Sequence, residues 1–551
     1  MASDYCSFIK KEIEKSKLPD GFKKELMLLV EKKRKYITDM LAEFDKKRTM
    51  DSLKELRRRF PLEHDSCIKI RKFKDFKNLS VILMLSLYMR EKMPEYINKC
   101  IEISNEIHAY LSNGSSKTGK KYFQKLVWKK GHREKEIRRD FLILYSELQK
   151  ELSDYEDETD AYLERNIDEF GLKTFDAVKC LNDFEGRTFP FLRAISQKVE
   201  KGDFVLEIGS GTGVFCFSSK IMGAEKVIGF ELNPITTLLS IIIKEDFVKK
   251  GLFKDDEVLL ICGNALKLNS PHYRELWKRK VDVLISENIY TGMFFELQLK
   301  MITHVLEEGI VPIKLESGLG KERIVTTAKV IAEALSSNLQ LAEVKNFKRR
   351  TVAETLQDIE KQGGKVKFLS VDHPYDYISF KTVEPGNVLS RVKLKVTEDG
   401  ELNGICIYST LKMCDGEYID RNENIFLNND SILFLNKPIK VKKGDLILVS
   451  LAYNDADSIS DIILEVRKIK VKNNTFIIPE KYDAILNISE EKHLENIVKF
   501  KIKNGIPEHM KLNLTDLGDY EVVRSSSFVN GHEEIWLMDI DYYNIDPYGL
   551  L

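Results

Sequence analysis

The sequence predicts an α/β protein: an all-α region, a parallel-sheet domain, an antiparallel β-barrel and a small C-terminal α+β tail. Three observations predict this order. Residues 1–165 carry apolar side chains at helical spacing, and short apolar runs after residue 201 alternate with helix-like segments. Between residues 365 and 478, short runs of alternating character are separated by turn dipeptides. A chain of 551 residues is also too long for one ordinary domain.

The N-terminal region is predicted to be helical and strongly basic. Gly21–Phe44 and Leu79–Ser112 show the helical spacing, with dense charge between their apolar residues. The whole chain has 87 basic and 87 acidic residues, but residues 1–150 carry an excess of roughly +15 and the remainder roughly −15. Most of this charge is expected on solvated helix faces. Nucleic acid is therefore not the expected partner, and Lys117–Arg139 is the one stretch where it could bind.

Cysteine spacing and the N-terminus indicate the kind of compartment. The eight cysteines form no C-x-x-C pair and no Cys/His cluster at zinc spacing, so we expect reduced thiols and no metal site. The N-terminus lacks the apolar core of a signal peptide. The longest apolar run, Leu79–Met89, is about half a membrane span. A cytoplasmic protein with no membrane partner is predicted.

A glycine-rich loop is the sharpest motif. The predicted strand Phe204–Ile208 leads into Gly209, Gly211 and Gly213, and the helix Val214–Met222 follows. Glycines at these positions allow a tight turn and let a ligand approach the backbone closely. The loop therefore predicts a binding site for a cofactor, with a purely structural turn as the alternative.

Two further strand ends favour an adenosine cofactor. The second strand, Lys226–Phe230, is followed by Glu231 and Leu232, and this acid lies 18 residues beyond Gly213, where it can accept both ribose hydroxyls. The third strand ends at a polar turn, Asn264 and Ala265, that is suited to an adenine edge. NAD is the second choice of cofactor, and the glycine spacing disfavours it.

Two glutamates flank the loop after the fourth strand. Glu287 ends the run Val281–Ser286, and Glu296 follows a loop with Gly292 at its centre. Two carboxylates held together need a cation between them, and a planar guanidinium can donate paired hydrogen bonds to both. The pair is predicted to be a catalytic clamp, with a helix-capping acid plus a surface glutamate as the alternative.

These motifs resemble class I S-adenosylmethionine-dependent methyltransferases, which have a Rossmann-like domain. Val-Leu-Glu-Ile-Gly-Ser-Gly-Thr-Gly resembles their first motif, Glu231 falls at their ribose-binding acid, and Glu207 stands where they usually have Asp. The double-glutamate loop resembles that of the protein arginine methyltransferases, as does Arg187-Thr-Phe-Pro-Phe191. The resemblance implies that Arg187 pairs with the methionine carboxylate of the cofactor. It also implies a homodimer, with the helices expected at 321–337 and 350–362 as a dimerisation arm.

The sequence departs from that family around the acceptor site. Asn288 replaces the usual Trp, and Leu427-Asn-Asn-Asp430 stands where a Thr-His-Trp loop is expected. An altered substrate rim suits arginine, either free or within a peptide or protein. Methylation of another nitrogen or of RNA is the second hypothesis, and a catalytically weak scaffold that keeps the fold is the third. The predicted domains are helical (1–160), methyltransferase (161–315), helical arm (316–364), β-barrel (365–480) and C-terminal appendage (481–551).

Overall fold

The computed structural model describes twelve α-helices and twenty-one strands. The residues described are 5–47, 72–76, 78–129, 133–153, 173–287, 298–318, 321–351, 353–382, 387–414, 417–419, 430–454, 459, 462–469, 484–488, 497–502, 520–529 and 532–539. The helices are α1 (Tyr5–Lys15), α2 (Asp20–Lys32), α3 (Arg34–Lys47), α4 (Leu79–Asn113), α5 (Lys117–Leu126), α6 (Glu134–Ser153), α7 (Asp176–Asn182), α8 (Phe189–Lys198), α9 (Val214–Met222), α10 (Pro234–Lys249), α11 (Gln298–Glu307) and α12 (Leu356–Lys361). The strands are β1 (Phe204–Ile208), β2 (Lys226–Glu231), β3 (Val258–Cys262), β4 (Val283–Ser286), β5 (Ile313–Gly318), β6 (Lys321–Thr326), β7 (Lys329–Ile331), β8 (Ala334–Lys345), β9 (Ala353–Thr355), β10 (Lys365–Phe368), β11 (His373–Ser379), β12 (Asn387–Lys395), β13 (Gly400–Cys414), β14 (Glu417–Ile419), β15 (Ser431–Val441), β16 (Leu446–Asn454), β17 (Ile463–Ile469), β18 (Ala484–Ile488), β19 (Ile497–Ile502), β20 (Tyr520–Val529) and β21 (His532–Asp539).

A five-stranded parallel sheet forms the centre of the molecule. Its order is β3-β2-β1-β4-β7, so β1 lies between the strands that end in the two predicted functional acids. All five residues of β1 are buried, which is why this strand is a continuous apolar run apart from Glu207. The four predicted strands agree with β1–β4 to within two residues. The carboxyl ends of β1–β4 therefore meet at one edge, as the Rossmann-like prediction requires.

The N-terminal helices pack directly against this sheet domain. Helix α4 lies against α10, where Cys100 Sγ is 3.7 Å from the carbonyl oxygen of Ile235 and Tyr96 donates to Asp246 at 2.7 Å. Residues Leu79–Met89 at the start of α4 are all buried in the core that the helices and the sheet share. The longest apolar run in the sequence is thus a core helix. The boundary expected near residue 160 stays a prediction, because the two regions share one continuous core.

The predicted helical arm is wrong in its secondary structure. The first expected helix, at 321–337, is occupied by β6, β7 and the start of β8, and only Leu356–Lys361 of the second is helical. β8 contains Ala, Leu, Gln and Glu, which favour helix, but it is a central strand between β11 and β13 and its residues 334–339 are fully buried. Pairing on both edges overrides the local preference. The barrel therefore begins at Ala334 and not near residue 365.

The barrel region consists of two antiparallel sheets around one apolar core. A curled seven-stranded sheet runs β10-β8-β13-β15-β9, with β11 beside β8 and β14 beside β13, and forms a half-barrel. The three-stranded sheet β12-β16-β17 contributes Val392, Ile447 and Val449 to the core that Leu339 and Ile405 share. The predicted antiparallel barrel is confirmed as a half-barrel.

Buried ion pairs join the half-barrel to the parallel-sheet domain. Arg193 of α8 donates to Glu417 of β14 at 2.5 Å, and both side chains are almost fully buried. Glu333, which precedes β8, contacts Lys198, Lys381 and Lys412 at 2.8, 2.9 and 3.2 Å. Burial alone would raise the pKa of Glu333, but the three lysines hold it at about 2. The two regions are therefore fixed to each other by charge as well as by packing.

The described part of the C-terminal appendage is a four-stranded antiparallel sheet of order β18-β19-β21-β20. It provides the strand component of the predicted α+β tail, and the helical component stays a prediction. Across the described ranges, we find no helix with the length and apolar character needed to cross a membrane.

Candidate active site

The glycine loop adopts backbone conformations that explain its composition. Gly209, Gly211 and Gly213 have φ values of 70°, 51° and 80°, a region that side chains with a Cβ rarely occupy. A Cβ on Gly213 would also lie 2.8 Å from the ring of Phe217. The loop therefore needs glycine for its turn and for the close packing of α9 on the sheet. Its backbone lies at the carboxyl end of β1.

Glu231 is held in place by backbone N–H groups. Its two carboxylate oxygens accept hydrogen bonds from Gly211 N at 3.0 Å and from Asn233 N at 2.9 Å. Burial raises the pKa of Glu231, and the backbone hydrogen bonds act against that rise. Leu232, the next residue, is exposed and leaves the surface beside the acid open. The predicted ribose acid is thus fixed directly against the glycine loop.

The turn after β3 lies next to this acid. Gly263 N donates to the Glu231 carbonyl oxygen at 2.8 Å, which joins the ends of β2 and β3. Asn264 caps the following turn by accepting from Leu266 N at 2.8 Å, and Ala265 is buried. The structure therefore brings the predicted ribose and adenine residues to one end of the sheet.

Glu207 lies under the loop and faces the start of α9. Its side chain is buried and accepts hydrogen bonds from the thiol and backbone of Cys216. Burial raises the pKa of Glu207 to about 8, against the opposing effects of Cys216 and of the Arg187 charge. The sequence predicts this acid to be in the cofactor site. In the structure it hydrogen-bonds to Cys216, and its Oε2 has no partner among the described residues, so its role toward the cofactor stays a prediction.

Arg187 lies on a π-helical turn, Phe184–Thr188, immediately before α8. Turns of this kind are rare and occur often at functional sites. Its guanidinium forms an ion pair with Glu287, and the two side chains are only 9% and 11% exposed. The ring of Phe215 lies 5.9 Å from its Cζ atom. The structure therefore brings together the residue predicted to bind the cofactor carboxylate and the first predicted catalytic acid.

The ends of the double-glutamate loop are joined to each other. Ser286 Oγ donates to Gln298 Oε1 at 2.6 Å, and Gln298 Nε2 donates to the Ser286 carbonyl oxygen at 3.2 Å. Both residues are fully buried, so the bonds are shielded from water. Glu287 adjoins one end of this pair. Glu296 lies outside the described residues, as do the other residues of 288–297.

Sequence reasoning missed Asp183. This half-buried acid lies one residue before the π-helical turn, where its carbonyl oxygen accepts from Arg187 N at 3.2 Å. Burial raises the pKa of Asp183 to about 6, although the Arg187 charge opposes the rise. The sequence signal is weak, because Asp183 is four residues from Arg187 and no periodic pattern marks it.

Buried polar atoms around the loop fit a bound cofactor. Among the described residues, the atoms without a hydrogen-bond partner include Asp183 Oδ2, Arg187 Nε, Glu207 Oε2 and Ser210 Oγ. Buried polar groups in proteins are nearly always satisfied, so a cluster of unsatisfied ones indicates a missing partner. A polar ligand with donors and acceptors, such as S-adenosylmethionine, suits these groups.

Comparisons with known proteins agree with the motifs. No family model matches the chain. The chain is 26% identical to an uncharacterized protein of Methanocaldococcus jannaschii over 51% of its own length and 93% of that protein. It is also 26% identical to the arginine N(omega)-methyltransferase of Streptomyces achromogenes over 50% of its length and 75% of that enzyme. Identity to protein arginine N-methyltransferase 1 of Chlamydomonas reinhardtii is 30% over 23% of the chain and 34% of that enzyme.

A solved structure is also similar. It is the PRMT1 enzyme-prozyme heterotetrameric complex of Trypanosoma brucei with AdoHcy, at 15% identity and a TM-score of 0.37, covering 52% of this chain and 95% of that one. The sequence relatives confirm the resemblance to arginine methyltransferases and support an S-adenosylmethionine-dependent methyltransferase.

Proposed function

We propose that this protein transfers a methyl group from S-adenosylmethionine to a guanidino nitrogen of arginine. One observation carries the proposal: Glu287, at the carboxyl end of β4, already accepts a buried guanidinium, that of Arg187. A carboxylate in this position binds the functional group that the proposed substrate carries. Guanidinium is planar and always charged, so the match is one of geometry as well as charge.

The cofactor would be held by the residues at the ends of β1–β3. Gly209, Gly211 and Gly213 leave room for it, and Glu231 would accept the ribose hydroxyls. Leu232, Asn264 and Ala265 lie where the adenine would contact the chain. S-adenosylmethionine, when bound, supplies the electrophilic methyl group. Arg187, with Nε unsatisfied among the described residues, would bind the carboxylate of the cofactor.

Arg187 therefore has two proposed partners, and this links cofactor binding to substrate binding. In the structure its guanidinium occupies Glu287. An Arg187 side chain engaged with the cofactor carboxylate would release Glu287 for the substrate guanidinium. A carboxylate left alone in a buried position is costly, so a released Glu287 strongly favours a new cation.

Glu296 is proposed to complete the clamp. The reciprocal hydrogen bonds between Ser286 and Gln298 fix both ends of the loop that contains it. Glu296 is two residues before Gln298 in the sequence, and Glu287 is one residue after Ser286. Each glutamate is therefore close in sequence to one of the two residues that join the ends of the loop. Two carboxylates would orient the guanidinium, polarise the attacking nitrogen and accommodate the proton that is later lost.

The relatives support arginine as the acceptor. The Streptomyces enzyme is named an arginine N(omega)-methyltransferase, and the match spans three quarters of its length. We propose arginine as the acceptor, either free or within a peptide or protein. The homodimer and the cytoplasmic location stay predictions. Light scattering of the purified protein would measure its oligomeric state.

A labelled-methyl assay tests the proposal. The protein is incubated with methyl-labelled S-adenosylmethionine and, separately, free arginine, an arginine-rich peptide and RNA. We expect label in Nω-methylarginine from one of the first two acceptors after hydrolysis. Label only in RNA, or in a residue other than arginine, would overturn the assignment. Cofactor binding without transfer to any acceptor would favour the scaffold hypothesis.

A further inference from the structure

The first turn of α6 reaches the adenine end of the cofactor site. Glu136 of this helix lies close enough to Lys267, in the turn after Ala265, for the two charges to interact. At its other end, Glu151 accepts hydrogen bonds from Thr174 N and Oγ1 at 3.4 and 3.2 Å. Helix α6 therefore spans the open edge of the sheet, from the turn after β3 to the segment that precedes α7.

Arg133 lies immediately before α6 and pairs with two acids of that helix. Its Nε contacts Glu136 at 2.5 Å, and its Nη2 is 3.7 Å from Asp140. Its third nitrogen, Nη1, is buried and has no hydrogen-bond partner among the described residues. The side chain is 14% exposed. An unsatisfied N–H on a buried guanidinium is costly in free energy. The bare Nη1–H of Arg133 therefore indicates that a ligand supplies its acceptor.

The surroundings of Arg133 show where that acceptor would lie. Burial raises the pKa of Cys262 to about 12, and the positive charge of Arg133 acts against that rise while Glu231 and Asp140 add to it. Cys262 Sγ is 3.8 Å from the carbonyl oxygen of Leu232. Arg133 also acts electrostatically on Tyr273, whose hydroxyl lies against Gly263. The segment before Arg133 also contacts the chain that follows β3, because Trp128 stacks on Tyr273 with ring centroids 5.8 Å apart and Lys129 pairs with Glu275 at 2.5 Å. These contacts place Arg133 close to the ends of the two strands that lead to Glu231 and Asn264.

We infer that Arg133 is an adenine-binding residue that donates its Nη1–H to a ring nitrogen of the base. Through this residue the N-terminal helical region completes the cofactor site. The inference rests on the proposed function only in that the cofactor contains adenosine. Adenine offers acceptors at N1, N3 and N7, and Arg133 Nη1–H is a buried, charged donor that lacks an acceptor among the described residues. Glu136 and Asp140 then hold the guanidinium in the orientation that leaves Nη1 for the ligand.

Calorimetric titration of the full-length protein with S-adenosylhomocysteine tests the inference. We expect Arg133→Met to weaken binding by roughly 10- to 100-fold, as loss of a hydrogen bond from a charged donor does. Lys135→Met, an exposed cation two residues away, is the matched control and should bind as the wild type does. Glu136→Gln breaks the nearby ion pair but keeps the guanidinium, so it should cost far less than Arg133→Met.

Ring analogues separate contact from structural support. The 1-, 3- and 7-deaza forms of S-adenosylhomocysteine each lack one acceptor, and the penalty of Arg133→Met should disappear for one of them. An equal penalty for all three, or wild-type affinity in Arg133→Met, would overturn the inference. Wild-type protein that binds no S-adenosylhomocysteine would instead overturn the proposed function.

Discussion

Glu231 and Glu287 lie at the ends of the two strands that flank β1, and they are held in different ways. Glu231 accepts hydrogen bonds from Gly211 N and Asn233 N, which belong to the backbone. Glu287 pairs with the side chain of Arg187. Backbone donors cannot leave without unfolding the loop, whereas a side chain can rotate away. The first acid is fixed, and the second has a partner that can be exchanged.

This difference matches the tasks that we propose for the two acids. A cofactor site needs a preorganised acceptor for the ribose hydroxyls, and Glu231 provides one. An acceptor site must bind a cation and release the product, so its acid needs an exchangeable partner. Glu287 is therefore expected to govern transfer, and Glu231 to govern cofactor affinity. Four substitutions would sharpen or break this comparison.

Glu287→Gln is expected to have the largest effect. Removing one charge from a buried ion pair costs several kcal/mol, so methyl transfer should fall by roughly 100-fold or more. S-adenosylhomocysteine affinity should not fall, because Glu287 does not contact the proposed cofactor and its replacement frees Arg187 for the cofactor carboxylate. Rates and calorimetry measure the two quantities. Glu225→Gln, an exposed acid that pairs with Arg279, is the control, and an equal loss in both variants would contradict the proposed role.

Glu231→Gln is expected to act on the other quantity. Loss of the charged acceptor should weaken S-adenosylhomocysteine binding by roughly 10- to 100-fold. The amide keeps an oxygen for Gly211 N but presents an NH2 group, which cannot accept, to Asn233 N, so some loss of loop stability is expected as well. Thermal unfolding without ligand checks this. Unchanged affinity in a folded variant would remove Glu231 from the cofactor site.

Arg187→Met separates the two halves of the cofactor. We expect a roughly tenfold or greater loss of affinity for S-adenosylhomocysteine, which has a carboxylate, from loss of a charge-assisted hydrogen bond. Methylthioadenosine lacks that carboxylate and should bind the variant and the wild type equally. Equal losses for both ligands would assign Arg187 a structural role.

Glu207→Gln is expected to have the smallest effect on function. It should instead change the stability of the protein and how that stability depends on pH. Burial raises the pKa of Glu207 from 4.5 to about 8, so the folded state binds a proton that the unfolded state releases between these values. Wild-type stability should therefore fall as pH rises from about 4.5 to about 8. Glu207→Gln removes this contribution, and its stability relative to wild type should rise over that window by about 5 kcal/mol at most. Urea unfolding at several pH values measures it, and a parallel pair of curves would contradict it.

The sequence predicted the parallel sheet well because its signals are local. β1–β4 are short apolar runs, and Gly209, Gly211 and Gly213 mark the loop that follows β1. β8 was missed for the opposite reason: its composition favours helix, and only the long-range pairing with β11 and β13 makes it a strand. The ion pair of Arg187 with Glu287 joins residues one hundred positions apart. The strand end and the second carboxylate pointed to Glu287, whereas the family resemblance alone pointed to Arg187.

Arg133 shows the same limit at the site itself. In the sequence it is one of many cations in a basic stretch. Its position beside Cys262 depends on how α6 packs across the sheet, which no local pattern encodes. Asp183 is hidden in a similar way, since its burial and its contact with the π-helical turn are products of the fold. The excess basic charge of the N-terminal region thus gave no indication of the adenine-binding role that we propose for Arg133.

Rescue by saturating cofactor is the most direct test of the division between the two acids. Single-turnover methyl transfer to the preferred arginine acceptor is measured for Glu231→Gln and Glu287→Gln as S-adenosylmethionine is raised well above its dissociation constant. We predict that the rate of Glu231→Gln returns to near the wild-type value, while that of Glu287→Gln stays low. Recovery of Glu287→Gln, or failure of Glu231→Gln to recover although it is saturated with cofactor, would contradict the account.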